Sequence, residues 1–229
     1  MASRAPLGRS ISSSVGTKVI IGITGLALFL YLITHIAGNL VVFLGPATFN
    51  QYSHALISNP LIPIIEVGLL LIFLIHIFKT VAMFLGNLKA RPVKYARKEG
   101  AGRPSRKTFA STTMILSGLW LLAFVVIHVR QFKYGAEYLA EGSEIRDLYR
   151  LEMENFRSPL WVGFYMLSML VVGSHLWHGV SSGFQSIGAE HSRWTPRVLV
   201  AGKVVAAAIA GGFIVIVLWA HFRQIGGRV

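Results

Sequence analysis

The chain has 229 residues, 54% of them hydrophobic and only 14% charged, with a formal charge of +13. That is too apolar for an ordinary soluble domain and points to a polytopic membrane protein, whose positive charge belongs to loops beside the membrane rather than to a nucleic-acid surface. There is no cysteine, which excludes disulfides, thiolate-held zinc and chain-supplied iron–sulfur clusters, so any iron must be held by histidine or carboxylate.

The N-terminal stretch MASRAPLGRSISSSVGTK is basic and Ser-rich. The apolar run after it is too long for a signal-peptide core and lacks a small-residue cleavage site, so it reads as retained. Five apolar spans follow, at about 19–44, 61–86, 109–132, 160–183 and 198–222. They lack barrel-like alternation, so all five are expected to be helices, making residues 1–229 one all-α, polytopic transmembrane domain. No internal repeat stands out.

Loop charge sets the expected orientation. Arg4, Arg9 and Lys18 precede the first span. Lys89, Arg91, Lys94, Arg97, Lys98, Arg103, Arg106 and Lys107 fill the second loop, and Arg193, Arg197 and Lys203 mark the fourth. The first loop, Gly45 to Pro60, has no Lys or Arg, and the third mixes basic residues with six acids. The positive-inside rule then places the N-terminus in the cytoplasm and the C-terminus outside. Within the third loop, AEYLAEGSEIRDLYRLEMENF is long enough for a short amphipathic helix on the outer surface.

Each of the first four spans carries a histidine: His35, His76, His128 and His175, with His178 one turn beyond the last. An imidazole in hydrocarbon needs a partner, and a lone one commonly finds it in an interhelical hydrogen bond. Depth argues for more. His35 and His128 lie about 17 to 20 residues into outward-running helices, and His76 and His175 about 16 residues into inward-running ones. Two pairs result, one near each face, each drawn from parallel, non-consecutive helices. Facing histidines across a bundle suit bis-histidine ligation of haem, and Gly38, Gly173 and Gly179 would either leave room for a flat group or let helices pack closely. Glu66 is the only acid well inside a span, too few for a carboxylate-bridged metal pair. Depth matching favours His175 over His178, which is placed to bond a haem propionate or a quinone instead.

The segments SSSVGTKVIIGITGLALFLYLITHIAGNL, NQYSHALISNPLIPIIEVGLLLIFLIH and GSHLWHGVSSGFQSIG, followed by RWTP, resemble the cytochrome b membrane-anchor subunit of succinate:quinone oxidoreductases and fumarate reductases, of the five-helix, two-haem type. The resemblance covers nearly the whole chain. It implies a di-haem four-helix core in which His35 and His128 hold a distal haem b and His76 and His175 a proximal one. It also implies a bacterial cytoplasmic membrane, a flavoprotein subunit with FAD and an iron–sulfur subunit as partners, and a quinone, with menaquinone favoured. Lys18 and Lys203 are placed to approach cytoplasmic-side propionates, or to snorkel at helix ends. Glu66 suits either proton exchange with quinone at the outer side or a structural bond to a neighbouring helix, and Asn50, Tyr52, His54 and Asn59 in the adjacent loop are polar partners for quinone or turn and interface residues. Ser13, Ser14 and Lys18 offer a competing quinone site at the cytoplasmic side. Trp177 is expected in bundle packing, and His191 and His221 at loop and helix ends. Two rivals stand beside this reading: the membrane cytochrome b of another respiratory oxidoreductase, and a haem-free transporter using the histidines as a proton relay.

Overall fold

The computed structural model describes residues 13–90, 109–189 and 191–225. Arg4, Arg9 and the second-loop basic residues from Arg91 to Lys107 lie outside them. The described chain is all-α apart from one isolated β-bridge between Leu139 and Arg146. Five helices are long and apolar enough to cross a membrane: α1 (Ser14–Asn39), α3 (Ile62–Lys89), α5 (Met114–Phe132), α7 (Pro159–Ser186) and α8 (Thr195–Ile225). Shorter elements lie between them: a 3₁₀ turn at Leu40–Leu44, then α2 (Pro46–Ile57), α4 (Phe109–Thr112) and α6 (Leu148–Phe156).

The expected spans fall on the observed helices, shifted by a few residues at their ends. The largest difference is in the third, where Thr113 separates the short α4 from α5. Local chemistry explains the boundaries. Ser13 caps α1 by accepting from the Gly16 amide at 3.0 Å, which satisfies one of the helix's free N–H groups. Gly45, at φ 97°, takes a backbone shape that side chains resist, and Pro46 then starts α2 with its φ already set. Asp147 caps α6 through the Arg150 amide at 2.9 Å.

The first four long helices form a square. α1 packs against α3 and α7, and α5 packs against α7 and α3. The diagonal partners, α1 with α5 and α3 with α7, do not pack extensively on each other. Accordingly α3 has no fully buried residue; its inner side looks onto the centre of the square rather than onto a neighbour. α8 lies outside, against α7 and α1. Small residues set the closest crossings. A Cβ on Gly22 of α1 would stand 3.1 Å from the Gly183 carbonyl oxygen of α7, a separation that only glycine permits.

One face of the bundle is capped, and the opposite face, where α1 begins, is here called the N-terminal face. At the capped face α2 packs on α6, and α6 on α8. Asn50 is 4% exposed and clasps the two short helices. Its amide donates to Asp147 at 2.8 Å, and its carbonyl accepts from the Tyr149 amide at 2.9 Å. The His221 ring donates from Nδ1 to the Phe156 carbonyl at 2.8 Å, and Gln224 donates to that of Met153. The amphipathic helix expected in the third loop is therefore present, but its apolar residues do not lie in a membrane surface. Tyr149, Leu151, Met153 and Phe156 are buried in the protein, because α2 and α8 supply an apolar seat for them. The helix α2 was not foreseen in the first loop.

Buried with them is Glu152, 5% exposed. Desolvation pushes its carboxyl up from 4.5 to about 8, so it is held neutral at most physiological pH values. Burial likewise raises the Tyr149 phenol.

Candidate functional site

The four histidines project across the diagonals of the square. His35 on α1 and His128 on α5 meet near the capped face, with ring centroids 5.9 Å apart and planes at 88°. A metal–imidazole nitrogen bond is about 2 Å, so two rings sharing one metal have centroids roughly 6 Å apart. Aromatic rings surround the pair. Tyr31 stacks on His35 at 5.4 Å, Phe124 stacks on His128 at 5.6 Å, and Phe132 and Phe213 complete the wall.

His76 on α3 and His175 on α7 lie deeper toward the N-terminal face, within range of each other's charge. Each is held by a hydroxyl from the neighbouring helix of its own side of the square. His76 Nδ1 lies 3.0 Å from Thr24 Oγ1 of α1, and His175 Nδ1 lies 2.9 Å from Ser117 Oγ of α5. A hydroxyl has one proton to give. Thr24 donates it to the Ile20 carbonyl at 2.7 Å, and Ser117 to the Met114 carbonyl at 3.0 Å. With their protons on those carbonyls, both oxygens are free to accept from an imidazole Nδ1–H, the tautomer that leaves the Nε2 lone pair available.

His128 follows the same pattern over a longer contact. Tyr165 donates to Gln131 Oε1 at 2.6 Å, so its oxygen accepts from His128 Nδ1 at 3.4 Å. The chain continues through Gln131 to Asn155 and on to the Leu151 carbonyl. It ends in a groove of about 700 Å³ between α5, α6 and α7, which Arg130, Tyr138 and Trp161 also line.

Depth can be measured along two helices independently. Thr24 marks the level of His76 on α1, and His35 lies eleven residues on. Ser117 marks the level of His175 on α5, and His128 also lies eleven residues on. Both count to about 16 Å between the two pairs.

These residues fit haem. Three of the four rings have Nδ1 against a hydroxyl oxygen, which suits the tautomer with a bare Nε2, the form that ligates a metal. Among the described residues no group of three or more His, Asp or Glu gathers to hold a metal ion. Paired imidazoles would suit an iron whose other positions a macrocycle fills, with His35 and His128 holding one group and His76 and His175 another. The glycines divide. A Cβ at Gly38 would strike the Tyr52 hydroxyl and one at Gly173 would crowd Ala210, so both serve close packing; Gly179 faces open space.

Other expected contacts fall elsewhere. Ser117 bonds His175, and half-buried His178 lies beyond it. Lys203 is held 5.3 Å above the Trp177 ring, on a surface that is 43% exposed at the indole, so Trp177 does not pack within the bundle. Lys18 is exposed near the start of α1, beside Ser13, which serves as its cap, and exposed Ser14. Glu66 pairs with Lys133 at the end of α5, both 44% exposed, and its charge reaches Tyr31. Asn50 is the clasp already described, which accounts for its polarity without a ligand. Asn59 accepts from the Leu61 amide, and His54 lies against Ser58. His191 accepts from the Arg193 amide and His221 ties α8 to α6, as loop and helix-end residues do.

Thr24 and Ser117 went unnoticed in the sequence, yet a signal for them is there. TGLALFLYLITH in α1 and SGLWLLAFVVIH in α5 share a hydroxyl residue, glycine, leucine and, at the same distance, histidine. The expectation of no internal repeat is therefore revised: the two segments open the same order of elements, long helix, short capping helix and long helix, in α1–α2–α3 and α5–α6–α7. Scanned against protein-family models, curated proteins and solved structures, the chain matches none of them.

Proposed function

We propose that the chain is the di-haem b membrane anchor of a succinate:quinone oxidoreductase, carrying electrons between an iron–sulfur subunit and membrane quinone. The observation that carries this reading is the arrangement of His35 with His128 and His76 with His175 across the two diagonals, about 16 Å apart along the bundle. When bound, haem supplies reversible one-electron chemistry at each pair. The protein's part is to present Nε2 from fixed rings, to exclude water with the Tyr31, Phe124, Phe132 and Phe213 wall, and to keep the pairs at two depths.

In this reading the N-terminal face is cytoplasmic and receives the iron–sulfur and FAD-bearing subunits. The membrane is the bacterial cytoplasmic one, the quinone is menaquinone, and His178, Lys18 and Lys203 lie on the propionate side of the proximal pair. Glu66 takes and returns the quinone's protons near the capped face, where Lys133 pairs with it.

The test is a pyridine haemochrome assay on the assembled protein, normalised to chain. Two haems b are expected, and His35→Ala should leave one. One haem in the unaltered protein would mean that a pair is misassigned. None would overturn the reading in favour of a proton-relay transporter.

A further inference from the structure

The repeated segment gives α1 and α5 two tasks each. One is the histidine at its end; the other is the hydroxyl eleven residues earlier, which touches a histidine of the other pair. From this geometry we infer that Thr24 and Ser117 are the positioning residues of the His76–His175 pair. They set its ring orientation, its tautomer and its strength as a ligand set. The inference rests on the haem reading above and names residues that reading does not include.

Three observations carry it. Each hydroxyl lies between a backbone carbonyl that can take its proton and an imidazole Nδ1 from which its oxygen can accept. Thr24 is 8% exposed, which keeps water from replacing it. Beside each hydroxyl stands a glycine against the same ring: a Cβ at Gly25 would lie 3.1 Å from His76 Cε1, and one at Gly118 would lie 3.8 Å from His175 Cε1. At His76 hydroxyl and glycine together form a socket, Thr24 holding Nδ1 and Gly25 making room for the ring edge, whereas at His175 the space beside Gly118 would accept a methyl group.

The physical consequence has a sign. A hydrogen bond from Nδ1–H to an oxygen pushes electron density into the ring and makes Nε2 a stronger donor, which favours ferric over ferrous iron. Removing the acceptor should raise the midpoint potential of that haem and loosen it. Loss of such outer contacts typically weakens metal binding about 10–100-fold.

The experiment uses the full chain with its partner subunits, carrying Thr24→Val, Ser117→Ala, or the hydroxyl-keeping Thr24→Ser and Ser117→Thr. Redox titration and low-temperature paramagnetic resonance of the ferric haems are the readouts. Thr24→Val and Ser117→Ala should each displace the signal and raise the midpoint of the same haem, with that haem lost on dilution before the other. The hydroxyl-keeping variants should restore both values. The affected haem is identified by adding His76→Ala: the haem that remains should then be indifferent to Thr24→Val. Two haems with unchanged signals in both hydroxyl-free variants would overturn the inference, as would a shift confined to the His35–His128 haem. An unaltered chain without haem would instead remove the reading beneath it.

Discussion

Glu152 makes the stability of the capped face depend on pH, and the dependence can be worked out. Burial raises its carboxyl from 4.5 to about 8. Between those values the folded chain holds a proton that the unfolded chain has released. Stability is therefore highest near the lower value, falls as pH rises, and levels off once the folded carboxyl has also ionised. Each pH unit inside the window is worth about 1.4 kcal/mol, so raising the pH from about 5.5 to about 8 should cost about 3 kcal/mol. Glu152→Gln keeps the shape and removes the proton; its stability should lack this slope. Hydrogen exchange of the α6 amides, corrected for the intrinsic effect of pH, reads the local opening directly. Subtracting the glutamine variant cancels neighbours such as Asp147, Tyr149, His221 and Arg223. The difference should grow by roughly a hundredfold in opening constant across the window. Parallel curves for the two proteins would refute the reasoning, since they would mean that the carboxylate is ionised or solvated where the fold places it.

Gly25→Ala should disturb the His76–His175 haem, because its new Cβ would stand 3.1 Å from the His76 ring, whereas Gly118→Ala, at 3.8 Å, should be tolerated; equal haem retention in the two would contradict the socket. Glu66→Gln should slow quinone turnover by about a hundredfold or more while both haems remain, and unchanged turnover would make Glu66 a structural partner of Lys133. Asn50→Ala leaves the Tyr149 amide without its acceptor and Asp147 with the Arg150 amide alone, at a cost of about 1–3 kcal/mol. A fall in thermal midpoint in detergent should report it, and an unchanged midpoint would mean that the clasp is not what joins α2 to α6.

The spans and the pairing of histidines by depth were legible because both follow from one-dimensional counts: apolar length for the first, residues from a helix end for the second. The cap was only partly legible. α6 announces itself by apolar spacing, but whether that face meets lipid or protein depends on α2 and α8 arriving above it, which no local pattern records. Asn50 read as a polar loop residue near a quinone because its partners, Asp147 and Tyr149, lie almost a hundred residues away. Gly38 and Gly173 read as room for a flat group, yet they are filled by Tyr52 and Ala210. A glycine says only that something comes close, not what does. Thr24 and Ser117 were hidden for a different reason. Hydroxyl residues in apolar helices commonly bond their own backbone, as these two also do, so only the matched spacing to His35 and His128 sets them apart.

The repeat explains why the ligand pairs are made of equivalent residues. The two units contribute matching positions: His35 of α1 pairs with His128 of α5, and His76 of α3 with His175 of α7. The match fails at one informative place. Ten residues before His175 stands Tyr165, which bonds His128 and leads into Gln131 and Asn155. Ten residues before His76 stands Glu66, whose charge reaches Tyr31 beside His35 and whose oxygen is taken by Lys133. The same slot thus holds a hydroxyl locked into a network on one side and an exposed acid with a releasable partner on the other. A locked hydroxyl orients a ligand but has no proton to trade. Under the proposed reading the proton exchange with quinone falls to the α3 side, and Tyr165→Phe should alter the His128 haem without slowing quinone turnover as Glu66→Gln does.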